Sequence, residues 1–80
     1  QYQKHPVIYE TLAQTYYSKG QIGAALEATS YQYEQEGYLK LAAQQIDNAL
    51  KQPDLDMAAY QRLESRKGTL LEQLKREKIN

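Results

Sequence analysis

Cysteine is absent from this 80-residue chain, which excludes disulfides and thiolate metal sites. Phenylalanine and tryptophan are missing as well, so aromatic packing falls to eight tyrosines. Tyrosine suits half-buried positions, where the ring packs and the hydroxyl stays wet, and a thin helical stack offers many of these. There is one histidine, His5, and Pro6 follows it. A lone imidazole before a helix cannot supply the paired ligands of an HEXXH zinc helix, and it is a poor base for a Ser–His–Asp triad. Formal net charge is zero, which argues against a general polyanion binder. No apolar run approaches the ~18 residues of a membrane span. The chain opens on Gln1 without an initiator Met or a leader, and is expected to be a piece of a longer protein.

What is present is a repeat. Leu12-Ala-Gln-Thr-Tyr16-Tyr-Ser-Lys-Gly20-Gln-Ile22 is echoed 17 residues later by Thr29-Ser-Tyr-Gln-Tyr33-Glu-Gln-Glu-Gly37-Tyr-Leu39. In this register Tyr16 falls on Tyr33, Gly20 on Gly37, and Ala25 on Ala42 and then Ala59. The step is about half of a roughly 34-residue helix–turn–helix repeat, so each copy is one helix, its turn and the start of the next. The predicted fold is all-α: one domain over 1–80, an antiparallel helix–turn–helix stack with about four helices.

Local signals place those helices near 6–19, 22–36, 38–52 and 54–78. Pro6 suits a first helical position, and Val7 or Ile8, Leu12, Ala13 and Tyr16 then form one apolar stripe. Gly20 and Gly37 stop helices one and two as C′ glycines. Ile22, Ala25, Leu26, Thr29 and Tyr33 mark the second stripe, and Leu39, Ala42, Ala43, Ile46, Ala49 and Leu50 the third. Pro53 ends helix three, and Asp54 is the expected N-cap of helix four, with Asp56 near its positive end. Leu55, Ala59, Leu63, Leu70 and Leu74 mark the buried side of helix four. Gly68 is expected to bend or fray it, and Glu72 to pair with Arg76. Connections of two to four residues force neighbouring helices to run antiparallel.

Two overlapping sets of residues are similar to the tetratricopeptide (TPR) signature. One is Leu12-Ala13, Tyr16, Gly20 and Ala25; the other is Ser30, Tyr33, Gly37, Ala42, Ile46, Ala49 and Pro53. They pair the helices differently, as 1–2 and 3–4 or as 2–3 with single flanking helices, and both pairings stay open. A closer resemblance runs through Gly20-Gln21, Ala24-Ala25, Tyr31, Tyr33, Gly37, Leu39, Ala42, Ile46, Ala49-Leu50, Gln52-Pro53, Tyr60, Arg62-Leu63-Glu64, Arg66 and Leu70. This run resembles the C-terminal TPR region of BepA-like periplasmic zinc metalloproteases. Thr29-Ser30 stands where that family usually has Ala-Glu, and Ser65 where it commonly has Ala. The resemblance implies a bacterial periplasmic protein concerned with outer-membrane protein assembly and quality control. It implies that zinc and the HEXXH motif belong to a catalytic domain outside this chain. The helical region would dock substrates, assembly proteins or its own protease domain.

The candidate sites follow from helix faces. Glu10, Gln14, Tyr17 and Ser18 share one side of helix one; Glu27, Tyr31, Glu34 and Gln35 share one side of helix two. Together they are the expected concave, partner-binding face, since exposed tyrosines among polar groups suit recognition at little rotamer cost. The competing reading is that Tyr17, Tyr31 and Tyr38 only contact neighbouring repeats or the protease domain that the resemblance implies. Charge is unevenly placed: residues 1–61 hold four lysines against seven acids, and 62–80 six Lys/Arg against three. Arg62, Arg66 and Lys67, continued by Lys75, Arg76 and Lys78, form a basic patch for an acidic partner or a solvated face. A small nucleic-acid-binding domain using this basic helix is the alternative function. Paired acids such as Glu34/Glu36 and Asp54/Asp56 read as caps or solvated charge. The chain has no catalytic constellation, and the expectation is a non-catalytic protein-interaction module with no cofactor of its own.

Overall fold

The computed structural model describes residues 6–79, so His5 lies outside the described residues. Four α-helices follow one another: α1 Pro6–Ser18, α2 Ile22–Gln35, α3 Leu39–Leu50 and α4 Met57–Ile79. The fold is all-helical, and the described residues contain no strand. The principal extents are 42 × 30 × 19 Å. The smallest matches about two helix diameters of roughly 10 Å each. Helix α2 lies between α1 and α3, and α3 between α2 and α4. Side chains of α4 also reach back to α2.

The first two turns are built alike, 17 residues apart. In the first, the Gln21 N–H donates to the Tyr16 carbonyl at 2.9 Å and the Gly20 N–H to the Tyr17 carbonyl at 3.0 Å. In the second, Tyr38 donates to Tyr33 at 2.9 Å and Gly37 to Glu34 at 3.0 Å. These are the paired bonds of a Schellman motif, which requires a left-handed residue at C′. Gly20 and Gly37 supply it, with φ of 76° and 86°. The Tyr33 and Tyr38 rings meet edge to face at 6.4 Å, the apolar contact that accompanies this motif.

The third connection, residues 51–56, is longer than expected, and α4 starts at Met57 rather than at 54. Pro53 stands second in a turn closed by the Leu55 N–H on the Gln52 carbonyl at 3.3 Å. Asp56, not Asp54, caps α4: its Oδ1 accepts the Ala59 N–H at 2.8 Å. Asp54 caps a different helix. Both its carboxylate oxygens accept the Gly23 N–H at 3.2 Å, at the start of α2, where Gln21 supplies no side-chain cap. A Cβ on Gly23 would sit 2.9 Å from Leu55 Cδ1 and 3.0 Å from Asp54 Oδ1, so glycine lets this loop close on the helix.

The core is Leu26 of α2, Ala42, Ala43, Ile46 and Ala49 of α3, and Leu63 and Leu70 of α4, with Ile22, Tyr33, Leu39, Leu50 and Leu55 packed around it. Ala25 and Ala42 are fully buried and Ala59 half-buried, so small residues stand where helices approach closely. Helix α1 departs from the predicted stripe. Val7, Ile8 and Leu12 are 60%, 49% and 40% exposed, and Ala13 is its one buried residue among those described. The inward face of α1 is Tyr9, Ala13 and Tyr16, because among the described residues α2 is the helix that packs extensively against it, and it covers a narrow strip. Helix α4 continues through Gly68 without a break. The Glu72–Arg76 pair is not among the ion pairs of the described residues.

Candidate functional site

Helix α2, packed on both sides, presents its polar residues along one seam, and α4 answers with arginines. The Arg62 guanidinium donates from Nε to Glu27 Oε2 at 2.7 Å and from Nη2 to Glu27 Oε1 at 3.0 Å. One turn on, Arg66 donates from Nη1 to the Ser30 hydroxyl at 2.8 Å and from Nη2 to Glu34 Oε1 at 2.7 Å. Ser30 is fully buried, and its hydroxyl in turn donates to the Glu27 carbonyl at 2.6 Å. Arg66 also lies 3.8 Å from the centre of the Tyr31 ring, a cation–π contact. Tyr9 of α1 stacks on Tyr31 at 5.4 Å with an interplanar angle of 22°. One seam thus ties α1, α2 and α4.

The two arms of the Glu27–Arg62 pair differ in exposure. The Glu27 side chain is 12% exposed and that of Arg62 50%. Hydrogen bonding and charge attraction from Glu27 raise the Arg62 pKa above its ordinary value. Lys67 pairs with Asp47 of α3 at 2.6 Å, and this hydrogen-bonded carboxylate raises the lysine pKa. The three basic residues singled out from sequence are therefore each engaged within the chain, and the patch is a set of internal ties rather than a free cationic surface. Lys75 and Arg76 lie exposed farther along α4.

Beside the seam lies a groove of about 280 Å³ lined by Tyr9, Leu12, Tyr16, Ala24, Glu27, Ala28, Tyr31 and Arg62. It adjoins a second hollow of about 370 Å³, which shares Tyr16, Ala24, Glu27 and Arg62 and continues to Asp54, Asp56 and Ala59. Of the eight expected partner-binding residues, Glu27 and Tyr31 line the groove, and Glu34 is held by Arg66. Glu10, Gln14, Tyr17 and Gln35 are exposed elsewhere and are not brought to it. Sequence reading does not single out Tyr9, and it gives Leu12 and Tyr16 to the buried stripe of helix one rather than to a groove. Their spacing of three and four puts them on one helix face, which was the available signal.

The groove is aromatic and aliphatic with a single ion pair at its floor, which suits holding an apolar side chain beside a hydrogen-bonding group. Among the described residues, no group of three or more His, Asp or Glu is placed to hold a metal ion. No helix among them is long and apolar enough to cross a membrane. The chain matches no protein-family model, no curated protein and no solved structure.

Proposed function

We propose that this chain is a TPR-like protein-interaction module without catalysis of its own, which holds a peptide segment in the tyrosine-lined groove between α1, α2 and α4. The observation that carries this reading is the groove itself: Tyr9, Leu12, Tyr16 and Tyr31 converge on one hollow floored by the Glu27–Arg62 pair. Tyrosines held by packing offer large contact area with little entropy to lose, and the paired but half-exposed Arg62 side chain can still donate to a carbonyl of the ligand. The resemblance to the C-terminal region of BepA-like proteases extends the proposal. On it, the parent protein is a periplasmic zinc metalloprotease of outer-membrane protein quality control, and the bound segments belong to its protease domain, its substrates or assembly proteins. The nucleic-acid alternative is disfavoured, because Arg62, Arg66 and Lys67 each already carry a carboxylate partner, Glu27, Glu34 and Asp47, which cancels most of the positive charge that would attract a phosphate.

The test is selection of peptides from a displayed random library on the intact chain, followed by titration of the enriched peptides against variants. Tyr9→Ser and Leu12→Ser are expected to weaken binding about tenfold each, as for residues at the centre of an interface. Gln44→Ala, on the exposed side of α3, is expected to leave it unchanged. Peptides that bind Tyr9→Ser and Leu12→Ser as well as the parent chain would overturn the assignment of the groove.

A further inference from the structure

A second groove lies at the other end of the stack. Helix α4 has 23 residues against 12 in α3, so it outruns its neighbour by about 16 Å at 1.5 Å per residue. Where α3 begins, Lys40, Leu71, Leu74, Lys75 and Glu77 enclose a hollow of about 620 Å³. It is continuous with a smaller one of about 280 Å³ that adds Leu41 and shares Lys40, Leu74 and Glu77. Leu41 and Leu71 are 40% and 45% exposed and line these two adjoining hollows, and exposed apolar residues at one hollow mark an interaction surface.

The charge around this hollow points to what covers it. Arg62, Arg66 and Lys67 are each paired with a carboxylate, whereas Lys40 and Lys75 are exposed at the groove and neither takes part in the described ion pairs. Against these two stands Glu77 alone in the lining. The groove therefore has an apolar floor and a net positive rim. Its walls are helices and a helix turn, with no strand edge to pair an extended backbone. A ligand that satisfies its own backbone hydrogen bonds fits it best, and that is a helix.

From this we infer a docking site for an amphipathic helix of a partner protein, with leucine-type residues on its buried stripe and Asp or Glu along the borders of that stripe. This site is separate from the tyrosine groove, and it stands or falls independently of it. The leucines supply the burial, and the lysines select acidic flanks over basic ones.

The probe is a pair of fluorescently labelled peptides of about 18 residues, roughly five helical turns, with one leucine stripe and either Glu or Lys on its borders. Anisotropy titrations use the whole chain at low salt. The Glu-bordered peptide is expected to bind about tenfold tighter than the Lys-bordered one, and the double variant K40E/K75E to reverse that order. Leu71→Gln is expected to weaken the Glu-bordered peptide at least about fivefold, while Tyr9→Ser leaves it unchanged. Equal binding of the two peptides would overturn the site, as would an order that K40E/K75E does not reverse while its circular dichroism stays helical. A dimer of the chain that Leu71→Gln dissociates would also overturn it, since a second copy would then be the occupant.

Discussion

Arg62 and Glu27 show how much the two ends of one ion pair can differ. The Glu27 side chain is 12% exposed and that of Arg62 50%, so removing the arginine strands a charge on a largely buried side chain, whereas neutralising the glutamate leaves a cation on a side chain that water can reach. Arg62→Ala is expected to cost about 1–2 kcal/mol, between the ranges for surface and buried pairs. Glu27→Gln keeps an acceptor for the arginine and is expected to cost less than about 1 kcal/mol. Urea denaturation of both variants checks the order, and the reverse order would contradict the geometry. Lys67 bears on pH. Its pKa is raised by Asp47, so the pair stabilises the fold fully below the ordinary lysine value of 10.5 and loses that effect as pH rises through the raised one. The gap in thermal midpoint between the parent chain and Lys67→Met is expected to be small at neutral pH and to close above that value. A gap that persists unchanged into alkali would contradict the tie. These pairings were not readable in the sequence: Glu27 and Arg62 are 35 positions apart, and helical periodicity relates only near neighbours.

At the scale of elements, the number and order of helices are readable because periodicity, glycine stops and Pro53 are all local signals. The third connection is less so. Asp54 and Asp56 both follow Pro53 and both suit a cap, and only the tertiary approach of the loop to α2 sends Asp54 to Gly23 and leaves Asp56 to α4. Asp54→Ala is expected to destabilise the fold by about 1 kcal/mol, the usual value of an N-cap, and to speed hydrogen exchange at the Gly23 amide. Exchange unchanged at Gly23 would contradict this cap. The alanine column is tested by overpacking. Ala42 is fully buried between helices, and Ala42→Leu is expected to cost about 1–3 kcal/mol. A thermal midpoint unchanged by Ala42→Leu would contradict the repeat register.

The whole molecule is a thin stack whose shared core spans α2, α3 and α4 and leaves α1 attached through Ala13, Tyr9 and Tyr16. The apolar stripe of α1 read from sequence assumed a neighbour on the Ile8 and Leu12 side, and the described residues place none there. That rotation of α1 brings Tyr9, Leu12 and Tyr16 to the groove and leaves Glu10, Gln14 and Tyr17 out of it. Faces of single helices are readable in a sequence; which face meets which is decided by packing between distant segments. The most direct measurement is the ¹H–¹⁵N spectrum of the chain titrated with a library-selected peptide. The central claim predicts shift changes concentrated at Tyr9, Leu12, Tyr16, Ala24, Ala28 and Tyr31. Changes confined to the exposed side of α3, around Gln44 and Lys51, would contradict it.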